Sequence, residues 1–241
     1  MSVTDAPPAP LPPVFHAHAD PEDWAEAAAD AIAAALRLDL ERPARTRLLL
    51  SGGTTPAPVY AHLAGQPLDW SRVDVALVDE RWLLPDDPDS NARLVREHLL
   101  RGPAAEARFE SLTAPGRDIA DALAVANAHA RQPASVAVLG MGDDGHTASL
   151  FPRSAGLDRA LASDQPYVAV DAGDAPGARG WARRITLTPN GLRHARERLL
   201  LIRGDGKRAL FERACADDDP RRWPVLVGLA GATPLQVHWC P

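Results

Sequence analysis

Sulfur is scarce in this chain. Cys215 and Cys240 are its only cysteines, and they fall into no metal-binding or redox spacing. Neither a disulfide scaffold nor a thiolate metal centre is therefore expected. Long apolar runs are missing as well: none approaches the roughly 18 residues that a membrane-spanning helix needs. The first residues carry no basic stretch followed by an apolar one, which speaks against a secretory signal. Positive charge is in deficit, with 26 Lys and Arg against 32 Asp and Glu and a net charge of −6. A pI near 5.7 argues against a nucleic-acid footprint, which needs a basic domain. Lysine itself is all but absent, Lys207 being the single one. These absences leave a cytoplasmic protein with neither nucleic acid nor membrane among its partners as the expectation.

What is present suits a globular fold. A hydrophobic fraction of 46% is ordinary, and 241 residues suffice for one large core. Proline crowds Ala6 to Pro13, so residues 1–13 are expected to be a disordered tail and residues 14–241 a single domain. Asp20 as N-cap and Pro21 at the first helical position predict a helix through Leu40. Strands are predicted at Arg47–Leu50, Val73–Val78, Ser135–Leu139, Tyr167–Val170, Arg184–Leu187 and Leu199–Ile202, with weaker ones at Val225–Leu229 and Leu235–His238. Helical patterns lie between them: one opened by Thr55 and Pro56, then Asn91–Leu100, Asp118–Ala130, Pro189–Ala195 and Gly206–Ala216. Strands alternating with helices predict an α/β fold, a three-layer Rossmann-like domain whose mainly parallel sheet is flanked by helices.

Ligands in such folds collect beyond the carboxyl ends of the strands. Three motifs stand at predicted strand ends. In Ser51-Gly52-Gly53-Thr54-Thr55, glycine lets backbone N–H groups approach an anion at a helix start, although a helix cap joined to a turn is an equal reading. Asp79-Glu80-Arg81-Trp82 offers carboxylates for sugar hydroxyls and a guanidinium for phosphate; taken alone it is a surface ion-pair cluster. The third, Gly140-Met141-Gly142-Asp143-Asp144-Gly145-His146, carries an imidazole two residues after an acid, ahead of a helix-like segment. That imidazole is a candidate general base. Its glycines match G-x-G-x-x-G, but Asp143 and Asp144 would set two negative charges where a dinucleotide pyrophosphate should lie. Asp164, at the distance of the ribose-binding acid, ends no clear strand. No G-x-S-x-G elbow and no H-x-x-x-H pair is present, which counts against a serine nucleophile and a zinc site. Lys207, beside a predicted strand end, suits a phosphate as a compact charge, with a solvated helix face as the alternative; Arg183 and Arg184 are weaker candidates of that kind.

Taken together, L-S-G-G-T-T-P at 50–56, V-D-E-R-W at 78–82, D-S-N at 89–91, L-G-M-G-D-D-G-H-T-A-S-L-F-P at 139–152 and R-I-T-L-T at 184–188 resemble the 6-phosphogluconolactonases. The matches run in order over nearly the whole chain after the tail, and the stretch 139–152 is the most specific. The resemblance implies a carboxylic ester hydrolase that converts 6-phospho-D-glucono-1,5-lactone to 6-phosphogluconate in the oxidative pentose phosphate pathway, with no cofactor and no metal. On that reading His146 activates water and Asp144 orients the turn or the imidazole. N–H groups at the start of the following helix would stabilise the oxyanion. Ser51, Gly52, Gly53, Thr54, Arg81, Arg184 and Lys207 would hold the phosphate and place the ring, and Asp79 would meet sugar hydroxyls. The partner is a small phosphorylated sugar lactone, and the expected state is a monomer or weak homo-oligomer. Glucosamine-6-phosphate deaminases share the scaffold, but their D-G-H-I-A-F-N-E-P has a ring-opening glutamate where Phe151 stands here. A non-catalytic sugar-phosphate sensor is the second alternative; it would be expected to carry an added DNA-binding helix-turn-helix and to have lost its acid and histidine positions.

Overall fold

In the computed structural model of the chain, residues 11–241 are described; the expected tail lies outside the described residues up to position 10. The chain enters through a short edge strand, β1 (Val14–Ala17), and turns into α1 (Pro21–Leu40). Asp20 caps this helix by accepting the N–H groups of Glu22 and Asp23 at 2.9 and 3.0 Å. Trp24, Ala25, Ala28, Ala29, Ile32 and Leu36 repeat every three or four residues and are fully buried. Full burial of a side chain the size of Ile32 or Leu36 contributes about 1.5–3 kcal/mol, so this face holds the helix against the domain.

Beyond α1 the chain runs β2 (Thr46–Leu50), α2 (Ala57–Ala64), β3 (Val73–Leu77), β4 (Asp79–Arg81), α3 (Asn91–His98), β5 (Arg108–Glu110) and α4 (Ile119–His129). It continues through β6 (Val136–Gly140), α5 (Leu157–Leu161), β7 (Tyr167–Asp171), β8 (Arg183–Leu187), α6 (Pro189–Leu192), β9 (Glu197–Arg203), α7 (Asp205–Asp217) and β10 (Gln236–Cys240). Seven strands form one sheet in the order β1-β10-β9-β6-β2-β3-β5, every neighbouring pair parallel. Every residue of β2 and β3 is buried, as expected of parallel strands covered on both faces. Their polar members are paired: Arg47 with Glu110 at 3.0 Å and Asp74 with Arg45 at 2.6 Å.

From β2 the chain steps outward to β3 and β5, then returns to the other side of β2 as β6. The topological switch point thus lies between the carboxyl ends of β2 and β6, where a crevice opens in such sheets. Two of the three motifs follow these two strands. A second sheet, antiparallel in the order β4-β8-β7, was not foreseen, and it sets Asp79 opposite Thr186 and Arg81 opposite Arg184.

Four local expectations are corrected. Residues 224–229 form a buried 3-10 turn, not a strand; Pro224 opens it and Val225 donates its N–H to the Gly145 carbonyl at 3.0 Å. Thr55 does not cap α2: Pro56 holds the cap position without a side-chain hydrogen bond. The helix after Thr188 stops at Leu192 rather than Ala195. No helix follows His146 either, because Thr147 and Leu150 form an isolated bridge, Ala148 takes φ +48° and the next helix begins at Leu157.

Candidate active site

The switch point opens into a cleft of about 820 Å³ that gathers all three motifs together with Arg184 and Lys207. Its floor is a buried polar network. The Asp79 side chain accepts Oγ–H of Ser149 at 2.5 Å and the amide of Asn91 at 3.4 Å, and Asn91 also reaches the Asp79 carbonyl at 2.9 Å. A Cβ on Gly52 would overlap the Asn91 amide, so only glycine lets the β2 turn close over that side chain. Gly53, at φ +93°, then turns the chain outward.

Glu80 points the other way. Its carboxylate accepts N–H groups of Arg81, Asn91 and Ala92 at 2.8, 2.9 and 2.8 Å and the Ser90 hydroxyl at 2.9 Å. It thereby fixes the start of α3 and delivers Asn91 to the cleft. Burial pushes this carboxyl above its ordinary value, and the hydrogen bonds oppose the shift. Beside it, Arg81 donates to the Asp89 carbonyl, while its buried Nε has no partner among the described residues.

The β6 turn holds the imidazole. Gly142 and Gly145 close a hydrogen-bonded loop in which Gly142 donates to the His146 carbonyl at 2.9 Å and Gly145, at φ +80°, donates to the Gly142 carbonyl at 3.1 Å. Asp144 accepts the His146 N–H at 3.1 Å and contacts Nδ1 at 2.5 Å. Burial alone would raise the Asp144 carboxyl, but the hydrogen bond and charge of His146 outweigh it and hold the group below the usual carboxylate range. An ionised carboxylate at Nδ1 selects the tautomer protonated there and leaves Nε2 with a lone pair. The ring packs on Phe151, centroids 4.4 Å apart, and its side chain stays 20% exposed toward the cleft.

Lys207, near the start of α7, donates to the Met141 carbonyl at 2.7 Å and pairs with Asp143 at 2.7 Å. That hydrogen bond and the ammonium charge hold the Asp143 carboxyl below its ordinary value. Of the sequence candidates, Ser51 is buried and accepts the Tyr60 hydroxyl on its carbonyl at 2.7 Å; Gly52, Gly53 and Thr54 line the cleft mouth. Arg184 reaches the cleft but is only 3% exposed. Ser149 was missed, as were the structural roles of Asn91 and Glu80. The D-S-N run was a partial signal for Asn91; nothing marked Ser149 apart from any hydroxyl in a turn. The helix expected to supply N–H groups to an oxyanion is absent, and so is the helix start that a dinucleotide reading of the glycine spacing requires.

The profile of the family described as glucosamine-6-phosphate isomerases/6-phosphogluconolactonase matches residues 19–239. A 6-phosphogluconolactonase of Xylella fastidiosa is 48% identical over 226 residues, 92% of this chain and 93% of the relative. One of Pseudomonas aeruginosa is 42% identical over 236 residues, covering 90% and 93%. The crystal structure of a 6-phosphogluconolactonase from Shewanella baltica superposes with a TM-score of 0.87 at 35% identity, covering 95% of this chain and 98% of that one.

Proposed function

Because the chain belongs to the glucosamine-6-phosphate isomerase/6-phosphogluconolactonase family, we propose that it hydrolyses 6-phospho-D-glucono-1,5-lactone to 6-phosphogluconate. The observation that carries this reading is the Asp144–His146 pair at 2.5 Å, which leaves Nε2 as the base on the wall of a cleft that also holds Arg81 and Lys207.

A δ-lactone is an activated ester, so no covalent nucleophile is needed. Nε2 of His146 takes a proton from water as its oxygen bonds to C1. The bond between C1 and the ring oxygen then breaks, and the imidazolium returns the proton to that oxygen. Asp144 holds the ring and stabilises its cation. Arg81 has a buried N–H without a partner among the described residues, and an unmet buried donor costs about 1–3 kcal/mol; a phosphate oxygen would satisfy it. Lys207 has one N–H beyond its two protein acceptors and adds the second charge. The Ser51–Thr54 turn contributes backbone donors, and Asp79 meets sugar hydroxyls from below. No carboxylate replaces Phe151 beside His146, which removes the ring-opening proton relay of the deaminases. Asp79, Asp144 and His146 are all kept, which counts against a non-catalytic sensor. The same reading takes residues 14–241 as one domain acting as a monomer or weak homo-oligomer in the cytoplasm, in keeping with the two free cysteines.

A lactonase assay run beside a glucosamine-6-phosphate deaminase assay on one sample tests the reading; ammonia release without lactone hydrolysis refutes it. His146→Ala should lower kcat by about 100-fold or more while leaving the thermal midpoint nearly unchanged. Arg81→Ala and Lys207→Ala should chiefly raise KM for the phosphorylated lactone, and an undiminished preference over plain gluconolactone in both refutes their phosphate role.

A further inference from the structure

Arg184 is built into the site differently from Arg81 and Lys207. It donates Nε to the Trp181 carbonyl at 2.8 Å, Nη2 to the Ala178 carbonyl at 2.7 Å and Nη1 to the Ser149 hydroxyl at 3.3 Å. Nη1 also stands 3.8 Å from Asp79 Oδ2, whose negative charge balances it. Two of these acceptors belong to the loop 172–182 between β7 and β8. That loop winds through a short 3-10 turn, Pro176–Ala178, held by its own backbone hydrogen bonds, and Gly173, Arg179 and Gly180 take positive φ, at +54°, +52° and +82°. The guanidinium ties this turn to β8: it adds a second donor to the Ala178 carbonyl, which also accepts the Trp181 N–H at 3.1 Å, and it holds the Trp181 carbonyl.

What the loop presents to the cleft is Gly177. A Cβ there would stand 2.6 Å from Cε1 and 2.8 Å from Nδ1 of His146, and 2.9 Å from the Phe151 ring. The Arg184 guanidinium lies 5.1 Å from the centroid of that same Phe151 ring. The imidazole is thus held in a slot whose walls are Phe151 and Gly177, and Arg184 contacts the ring of one wall and the backbone just after the other.

We propose that Arg184 is a positioning residue that fixes the 172–182 loop and Phe151 against His146, and that it does not hold the substrate phosphate. The proposal rests on the lactonase reading of the site. A phosphate is matched by a guanidinium that can turn a free pair of N–H groups toward it. Here Nε and one N–H of each terminal nitrogen go to fixed protein acceptors, which leaves a single N–H on each of Nη1 and Nη2, and the group, only 3% exposed, lies buried beneath the loop it contacts. The geometry serves orientation instead: an imidazole displaced by about 1 Å from its productive pose can lose up to ~100-fold in rate.

Arg184→Lys and Gly177→Ala test this, each assayed on the phosphorylated lactone and on plain glucono-1,5-lactone. Lysine keeps a charge beside Asp79, but a point charge cannot span both carbonyls. Both variants should lose kcat about 10- to 100-fold on both substrates, with the phosphorylated-to-plain ratio of kcat/KM held within about twofold. Gly177→Ala perturbs the slot without touching Arg184, so a folding defect in the arginine variant does not decide the outcome. The ¹H–¹³C signal of the His146 ring should also shift or broaden in both. Retained kcat with a raised KM for the phosphorylated lactone alone, in Arg184→Lys, would make this arginine a phosphate ligand and overturn the proposal. Native kcat and an unmoved ring signal in Gly177→Ala would overturn it too. A wild-type protein inactive on the lactone would refute the function, and the ring signal would then decide the slot by itself.

Discussion

Replacing Asp144 by asparagine separates orientation from charge in the proposed base. The carboxylate accepts twice from His146, from the backbone N–H at 3.1 Å and from Nδ1 at 2.5 Å. An amide oxygen can accept both, so the turn and the tautomer survive the change. What is lost is the negative charge facing the imidazolium that forms while water is deprotonated. Hydrogen bonds to a charged partner contribute about 1.5–3 kcal/mol against roughly 1 for a neutral one. Because Asp144 is half-buried, solvent screens only part of that difference. A transition-state loss of about 0.5–2 kcal/mol corresponds to about a 2- to 30-fold fall in kcat.

The assay is initial-rate hydrolysis of freshly generated phosphorylated lactone, with the spontaneous rate subtracted at each pH. KM should hardly move, since Asp144 faces the imidazole, and Asp144→Ala should fall below Asp144→Asn because it loses the tautomer as well. Protonation of Asp144 mimics the asparagine change. Its folded carboxyl lies below the ordinary range, so the wild-type enzyme keeps the charge as pH falls through the usual carboxylate region and loses it only beneath. An Asp144→Asn enzyme within twofold of wild-type kcat would refute the coupling of this carboxylate to catalysis.

Gly142→Ala should behave like a local lesion of the same pair. A Cβ there would overlap the His146 ring, so kcat should fall about 10-fold or more while a thermal melt stays close to wild type; a fully active variant would show that the ring can relocate at no cost. His238 gives a stability prediction far from the cleft. It is buried, stacks on His16 and His18 at 4.7 and 5.3 Å, and is pulled down to about 3 by burial first and by those two neighbours second. The unfolded chain takes up a proton below the ordinary value of 6.5 while the folded one stays neutral to about 3. Stability present above 6.5 is therefore lost as pH falls between them, by up to about 1.4 kcal/mol per pH unit. His238→Gln should flatten that acid limb in denaturant titrations from pH 7 to 4, and identical slopes would refute the assignment.

How far the sequence spoke depended on how local the cause was. Asp20 and Pro21 announce α1 because a cap and a proline act within one turn of chain. The strands β2, β3, β6 and β9 are legible because burial on both faces demands short apolar runs. Val225–Leu229 meets the same demand, yet it folds as a 3-10 turn: Pro224 precedes it, and its first N–H is taken by Gly145 from the β6 turn. Apolar content reports burial, and only partners make a strand.

The site divides along the same line. His146, Asp144 and the Ser51–Thr54 turn could be named because their geometry is set by glycines next to them in sequence. Glu80 could not be distinguished from a solvent-facing acid in a D-E-R triplet, since its four donors come from Arg81, Ser90, Asn91 and Ala92. Arg184 shows the limit most clearly. Its sequence context, an arginine at the start of a strand in an arginine-rich stretch, suits a phosphate ligand, whereas its acceptors at Ala178, Trp181 and Ser149 suit a clamp. Both roles ask for the same charge at the same end of a strand. Only the direction in which the N–H groups point separates them, and that direction is set by the second sheet, where β8 lies antiparallel to β4 and carries Arg184 under its own loop. A charge type can thus be read from a sequence with some security, while the partner of a long, rotatable cation is decided by strands that meet only in the folded chain.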